Sequence, residues 1–352
     1  MFDAVRDAER IVYQPSSSYD LPPLSDKDYW VYAKPLNPLR SSSSKRHASP
    51  PSNASNKKLK ANQYQVTQYY NDRPDYGKDL RRKSPIFNLK NFNNWVKAVL
   101  IASFARFNPP PVARVLDIGC GKGGDLNKWT KSNIIDYVGL DIAEISINQA
   151  KTRFKDMRNK SFNTHFNTLD CFKEPLEKAI PSQWLDSKFN AVSCQFAMHY
   201  AFDSESSVRC LLENVTKYLQ PGGTFIGTII DAGVLINALA SIEDDSNMEF
   251  GNSLFRVQFD KRPDEHNFYG QKYNFHLEDA VDAPEYLIQW DAFTELARSY
   301  GLELLAYKPF QEVFYDQIHV KEFQRLAAHL NIIDNYGTPI LSDDEWGTVG
   351  MS

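Results

Sequence analysis

The residues with the most evident chemical purpose lie in VLDIGCGKGGDL, residues 115–126, where an apolar run breaks into glycines. Gly119, Gly121 and Gly124 have G-x-G-x-x-G spacing, which lets a ligand lie against bare backbone while the following helix start offers free N–H groups. About twenty residues on, Asp141 closes the apolar segment YVGLDI, where a carboxylate can accept hydrogen bonds from ribose hydroxyls. Such spacing serves dinucleotide dehydrogenases and S-adenosylmethionine-dependent methyltransferases alike. Two carboxylates favour the second class. Asp117 precedes the first glycine, where it can hold the cationic amino-acid end of a cofactor, a group NAD does not have. Asp170 ends a later strand, placed to accept from an adenine amino group.

Other candidate groups depend more on context. Apolar positions Phe92, Trp95, Val96, Val99, Leu100 and Phe104 recur at helical spacing, predicting a buried-face helix from near Leu89. Asn93 and Asn94 fall three and four residues before Lys97 and share roughly one face of it. Taken alone, that face is as readily a solvated surface, and Lys122, Lys128 and Arg153 are ordinary helix-surface cations. His199 reads equally as a satisfied polar residue, and Glu285 beside Pro284 as a turn carboxylate.

These groups need a frame, and the frame is legible in RVLDIG, GKGGDLNKWTKS, YVGLDI and EISINQAKTRF, which alternate strand, glycine turn, helix, strand and helix. The alternation predicts an α/β fold, a doubly wound and mostly parallel sheet with helices on both faces. Further strands are expected at 165–169, 189–194 and 224–230. FRVQF and KYNFHL predict an antiparallel pair inside an insertion of about 246–285, and a last helix-and-strand unit spans 288–308.

The bulk numbers bound the function classes. A chain of 352 residues has room for one large α/β domain plus appendages. Its net charge of −4 excludes a protein that coats nucleic acid unspecifically, since that requires a large cationic excess. Four cysteines, Cys120, Cys171, Cys194 and Cys210, form no C-x-x-C pair, so neither a metal site nor a disulfide framework is expected. No apolar run reaches the ~18 residues of a membrane span, and the start MFDAVRDAER lacks signal-peptide character. Residues 35–62, PLNPLRSSSSKRHASPPSNASNKKLKAN, are Ser/Pro/Asn-rich, so residues 1–62 are expected to be a disordered N-terminal tail ahead of a domain at 63–352. Within it Lys45-Arg46 and Lys57-Lys58-Leu59-Lys60 flank a neutral spacer in the manner of a bipartite nuclear import signal, predicting a nuclear protein.

Four segments, NFNNWVKAVLI, VLDIGCGKGGDLNKW, SCQFAMHYAF and DAPEYL, together resemble the mRNA cap guanine-N7 methyltransferase family, its fungal members in particular, from about residue 69 to 346. The Pro-Gly-Gly turn of YLQPGGTFIGT adds to the likeness to class I methyltransferases, whose Rossmann-like sheet has seven strands. The resemblance implies S-adenosylmethionine as methyl donor, held by Lys97, Gly119, Asp141, Asp170, Gln195 and Tyr200. It implies that Asn93, Asn94, Lys122, Lys128, Arg153, His199 and Glu285 meet the mRNA cap, with Phe196 and Tyr200 offering flat contacts to the base. Guanine N7 carries its own lone pair, so no catalytic base is expected, only proximity and in-line alignment. The implied partners are the capped 5′ end of a pre-mRNA and, for tethering, RNA polymerase II or the capping guanylyltransferase.

One departure shapes the expectations. The family continues beyond its Glu-Trp motif into an aromatic strand that inserts antiparallel between the fifth strand and its neighbour, whereas EWGTVGMS ends this sequence at Ser352. Two strands are then expected to lie unpaired, and a cap-binding protein with impaired catalysis becomes an alternative reading. A class I methyltransferase with another acceptor is a second alternative, since a fold does not choose its acceptor. A nicotinamide dehydrogenase is a third.

Overall fold

Every residue of ARVLDI is buried, as befits a central strand with helices on both faces. In the computed structural model, which describes residues 31–33, 68, 82–107, 113–264 and 266–352, this strand is β2 (Ala113–Ile118). It pairs in parallel with β3 (Ile134–Asp141) and β5 (Phe189–Gln195); β3 also pairs with β4 (Asn163–Thr168), and β5 with β6 (Leu219–Thr228). The doubly wound sheet is therefore present, in the order β11-β1-β6-β5-β2-β3-β4, where β1 is Val31–Ala33 and β11 is Glu303–Leu304.

β1 corrects an expectation. It runs antiparallel to both neighbours, with Tyr32 opposite Phe225 of β6 and Leu304 of β11. The slot between the fifth parallel strand and its neighbour is thus filled by residues from the N-terminal segment, so neither strand is left without a partner there. The segment 1–62 is accordingly not tail throughout. Its basic clusters, Lys45-Arg46 and Lys57 to Lys60, lie outside the described residues.

The helix expected from near Leu89 is α1 (Phe87–Phe104), and its buried stripe comprises Leu89, Phe92, Trp95, Val96, Val99 and Ile101. Along the sheet follow α2 (Leu126–Trp129), α3 (Glu144–Asp156), α4 (Ser182–Leu185), α5 (Glu205–Tyr218) and α6 (Ala232–Ala240). After the insertion come α7 (Trp290–Ser299), α8 (Phe310–Gln317), α9 (Lys321–His329) and α10 (Asp343–Val349). α8 to α10 wrap α1: Phe92 and Trp95 pack on Phe314, and Trp346 meets Phe92 edge-on at 5.6 Å. α10 also supplies what α1 lacks, a side-chain cap. Glu345 accepts the Leu89 N–H at 3.0 Å in the first turn of α1, while its other oxygen closes a capping box with Ser342. A buried carboxylate at a helix N-terminus, bonded to two backbone donors, stabilises by about 2 kcal/mol.

The insertion is larger than the expected pair. β7 (Glu249–Gly251), β8 (Phe255–Phe259), β9 (Lys272–Leu277) and β10 (Val281–Tyr286) form a separate antiparallel sheet in the order β10-β9-β8-β7. Its alternating Phe255, Val257 and Phe259 turn inward with Tyr273 and Phe275 against α6. β10 packs against the 3-10 turn Met198–Asp203 that follows β5, and thereby reaches the site.

Candidate active site

At the carboxyl end of β2 the backbone turns sharply. Gly119 has φ +70, and a Cβ there would stand 2.6 Å from the Cβ of Ala197, so only glycine lets the β2 and β5 loops approach so closely. Its N–H and that of Cys120 both donate to Leu140 O, tying the turn to β3. Asp141, at the end of β3, fixes the next part: Oδ2 accepts from Gly121 N–H at 2.9 Å and Oδ1 from Ala143 N–H at 2.9 Å. Each oxygen retains a lone pair for a ligand. Burial pushes the Asp141 carboxyl above its usual range, an effect these two backbone donors oppose.

This turn forms one side of a cavity of about 290 Å³ lined by Lys97, Gly119, Asp141, Asp170, Gln195 and Tyr200 among others. All six residues expected to hold the cofactor therefore meet in one place, drawn from α1, β3, β5, two loops and the 3-10 helix Met198–Asp203. Asp170 is anchored by the Phe172 N–H at 3.0 Å. Gln195 donates to Ser193 at 3.2 Å, but its buried Oε1 has no hydrogen-bond partner among the described residues, so a donor from a ligand would satisfy it. Phe196, on the rim, holds φ +54, a conformation costly for a bulky residue and kept by its N–H bonding to Thr228. A cradle of glycine backbone, two carboxylates for hydroxyl and amine donors, and a lysine suits a ribonucleoside that carries a zwitterionic tail.

Lys97 does not stand alone. Its Nζ is 3.0 Å from Asp125 Oδ2, Lys128 reaches Oδ1 of the same carboxylate at 2.7 Å, and Lys128 also donates to Asn94 Oδ1 at 3.0 Å. Burial resists ionisation of Asp125, yet the two ammonium groups prevail and hold it well below the usual carboxylate range. Asp125 thus belongs to the site although sequence reasoning passed over it. The available signal was its i,i+3 spacing to Lys128. Lys128 is engaged by this network and does not line the cavity. Lys122 lies in the glycine turn, and Arg153 approaches it from α3, with Nη1 4.0 Å from where a Gly124 Cβ would be. Asn93 sits half-buried beside Asn94 on α1.

Asp117 departs from expectation. It lies beneath the turn, not in the cavity wall, and accepts the Tyr137 hydroxyl at 2.6 Å. Burial and the nearby negative Asp125 push its carboxyl up to about 7. A group so enclosed supports the turn from below and does not grip a cationic tail.

His199 and Glu285 come together beside the cavity, although only their neighbours Tyr200, Pro284 and Tyr286 line it. His199 Nε2 lies 3.4 Å from Glu285 Oε1, an approach without hydrogen-bond geometry, and neither ring nitrogen has a partner among the described residues. Burial pushes His199 down to about 3 and Glu285 up to about 8, so near neutrality the contact joins two uncharged groups and is no salt bridge. Directly across the ladder from Glu285, Tyr273 donates its hydroxyl to Oε2 at 2.8 Å. Sequence reasoning missed this tyrosine because the pairing depends on the register of β9 and β10. Among the described residues no cluster of metal-ligating side chains occurs, and no helix is long and apolar enough to cross a membrane.

With the geometry in hand, comparison with known proteins is specific. The profile of the family described as the mRNA (guanine-N(7))-methyltransferase domain matches residues 53–351. The chain is 44% identical over 276 residues to a Schizosaccharomyces pombe mRNA cap guanine-N(7) methyltransferase, covering 77% of this chain and 75% of that protein. It is 40% identical over 295 residues to mRNA cap guanine-N(7) methyltransferase 1 of Arabidopsis thaliana, covering 80% and 77% respectively. A Cryptococcus neoformans relative of the same name is 41% identical over 289 residues, which are 81% of this chain but 46% of that longer protein. The match to a second Cryptococcus strain's protein likewise spans 40% of its length.

Proposed function

Because the chain belongs to the mRNA (guanine-N7)-methyltransferase family, we propose that it transfers a methyl group from S-adenosylmethionine to N7 of the guanine capping an RNA 5′ end. The observation that carries the proposal is the single cavity in which Lys97, Gly119, Asp141, Asp170, Gln195 and Tyr200 converge, with the buried His199 and Glu285 beside it.

S-adenosylmethionine, when bound, supplies the methyl group on a positively charged sulfur. Everything else asked of the chain is holding and aligning. Asp141 accepts from the ribose hydroxyls, Asp170 from the adenine amine, Lys97 attracts the carboxylate of the amino-acid tail, and Gln195 and Tyr200 close the cavity. On the cap side, ionised Glu285 can accept from both N1–H and the exocyclic amine of guanine, a pairing that adenine cannot reproduce. His199 presents a neutral ring nitrogen, and Asn93, Asn94, Lys122 and Arg153 face the sugar and polyphosphate, with Lys128 acting through Asn94. No side chain has to remove a proton from N7, so the rate derives from proximity and in-line placement.

The test is transfer of labelled methyl to three RNAs: GpppG-capped, m7GpppG-capped and uncapped triphosphate. Label is expected in the first alone. Equal labelling of a pre-methylated or uncapped RNA would assign another acceptor, and cap binding without transfer would favour the impaired binder.

In the same reading the substrate is the 5′ end of a nuclear pre-mRNA, met beside RNA polymerase II or the guanylyltransferase, and Lys45-Arg46 with Lys57 to Lys60 provide import. Alanine at these five basic positions should leave a fluorescent fusion cytoplasmic. Unchanged nuclear fluorescence would assign import to other residues.

A further inference from the structure

Glu285 poses a problem for cap recognition. Only as a carboxylate can it accept from two guanine donors, yet it is 2% exposed, and burial favours its uncharged form. Two titratable groups face it: His199 from the turn after β5, and Tyr273 from β9. Buried and uncharged, His199 brings no positive charge to it. No lysine or arginine among the described residues is paired with it. Among the described residues, the group that favours its ionised form is the Tyr273 hydroxyl, itself 1% exposed and directly opposite in the ladder.

We propose that Tyr273 is a positioning residue for cap recognition, whose hydroxyl holds Oε2 of Glu285, orients the carboxyl group and favours its ionised form, leaving Oε1 and the second lone pair of Oε2 for the ligand. The inference rests on the cap-methylating reading above, with Glu285 as the guanine acceptor. A hydroxyl donating to a carboxylate orients it and stabilises its charge, so Tyr273 acts on the cap through Glu285 without touching it. The phenol stays a donor throughout, because burial and the nearby carboxylate push its own ionisation well above the ordinary range.

The test separates this role from mere packing. kcat/KM for capped RNA reports ionisation in the free enzyme and should rise with pH as Glu285 ionises. Tyr273→Phe removes the donor, so this limb should move to higher pH by about one unit, with a loss of about tenfold near pH 6.5 that largely disappears by pH 9. Placing 3-fluorotyrosine at 273, a stronger donor of nearly the same shape, should move the limb the other way. In a Glu285→Gln background, Tyr273→Phe should add little. Carbon-13 NMR of the glutamate carboxyls, with the Glu285 signal assigned by Glu285→Gln, reads the same ionisation without turnover. An unshifted carboxyl titration, or an activity loss equal at every pH, overturns the role of Tyr273. Absence of cap methylation in the unsubstituted protein, together with a shifted titration, overturns the cap reading instead.

Discussion

Asp125→Ala should cost the protein both stability and methyl transfer, because one carboxylate holds Lys97, in the wall of the site, together with Lys128. Lys97 and Lys128 lie 3.0 and 2.7 Å from its oxygens, with side chains only 15% and 13% exposed. Removing the shared anion leaves two poorly hydrated cations facing each other. Cutting one partner from a buried pair costs 3–5 kcal/mol; these lysines retain some water, and Lys128 keeps Asn94, so the expected loss is about 2–3 kcal/mol. Lys97 also loses the contact that directs it, and misplacement by about 1 Å in a positioning site lowers the rate by about a hundredfold.

The pH dependence gives this prediction its sign. The folded carboxyl lies well below its unfolded value of about 4, so the ion pairs contribute fully above that pH and are lost as pH falls through the folded value. The melting-temperature gap between the original and Asp125→Ala proteins should be widest near pH 6 to 8 and shrink below pH 4. A gap of equal size at pH 3 and pH 7, or kcat/KM within threefold of the original, would refute the assignment.

Asp117 and Glu285 work in the opposite direction. Their folded values are raised, so the native state binds more protons than the unfolded chain between about pH 4 and pH 7 to 8, and stability declines as pH rises through that window. The site therefore retains two carboxyls that burial disfavours as anions. For Glu285 the functional reading explains why an acid occupies a place where a glutamine would be easier to bury.

What could be read from the sequence was what is local. The glycine turn, Asp141 and Asp170 are set by strand-turn-helix periodicity, and the apolar stripe of α1 foretold the face that α8 to α10 cover. The chemistry of individual groups was less legible where a distant partner decides it. Asp117 was expected to grip a ligand, but Tyr137, from the neighbouring strand, takes it up. Lys128 was expected to meet phosphate, yet Asp125 engages it. Nor was β1 anticipated, although Val31 to Ala33 close the apolar run YWVYA, because so short a run does not say which strands it will join. Two strands were expected to lie unpaired where β1 in fact sits, because strand pairing between distant segments leaves no local trace. Tyr273 and Glu285 belong to the same class, since their meeting requires the register of a hairpin whose second strand, β10, was not anticipated.

Asp141→Ala should abolish cofactor capture while leaving the fold standing, since it removes two functions of one carboxylate. The first is local: without Oδ2 and Oδ1, the N–H groups of Gly121 and Ala143 lose their acceptors, and the turn that holds Gly119 against Ala197 keeps only its backbone bonds to Leu140 O as ties to β3. The second is recognition, because the remaining lone pairs are the ones aimed at ribose. Two charge-assisted hydrogen bonds, at about 1.5–2 kcal/mol each, predict a loss in S-adenosylmethionine affinity of about two to three orders of magnitude. Asp141→Asn should do almost as badly, because an amide presents one NH2 where the backbone already offers a donor and leaves an N–H facing an N–H. Titration calorimetry with S-adenosylmethionine and S-adenosylhomocysteine should show both ligands weakened alike, since they share the ribose. The sheet should persist, as β3 keeps its full ladder to β2 and β4. Affinity within threefold of the original would place the nucleoside elsewhere. A selective loss of one ligand alone would mean that the carboxylate reads the sulfur end of the cofactor and not its ribose.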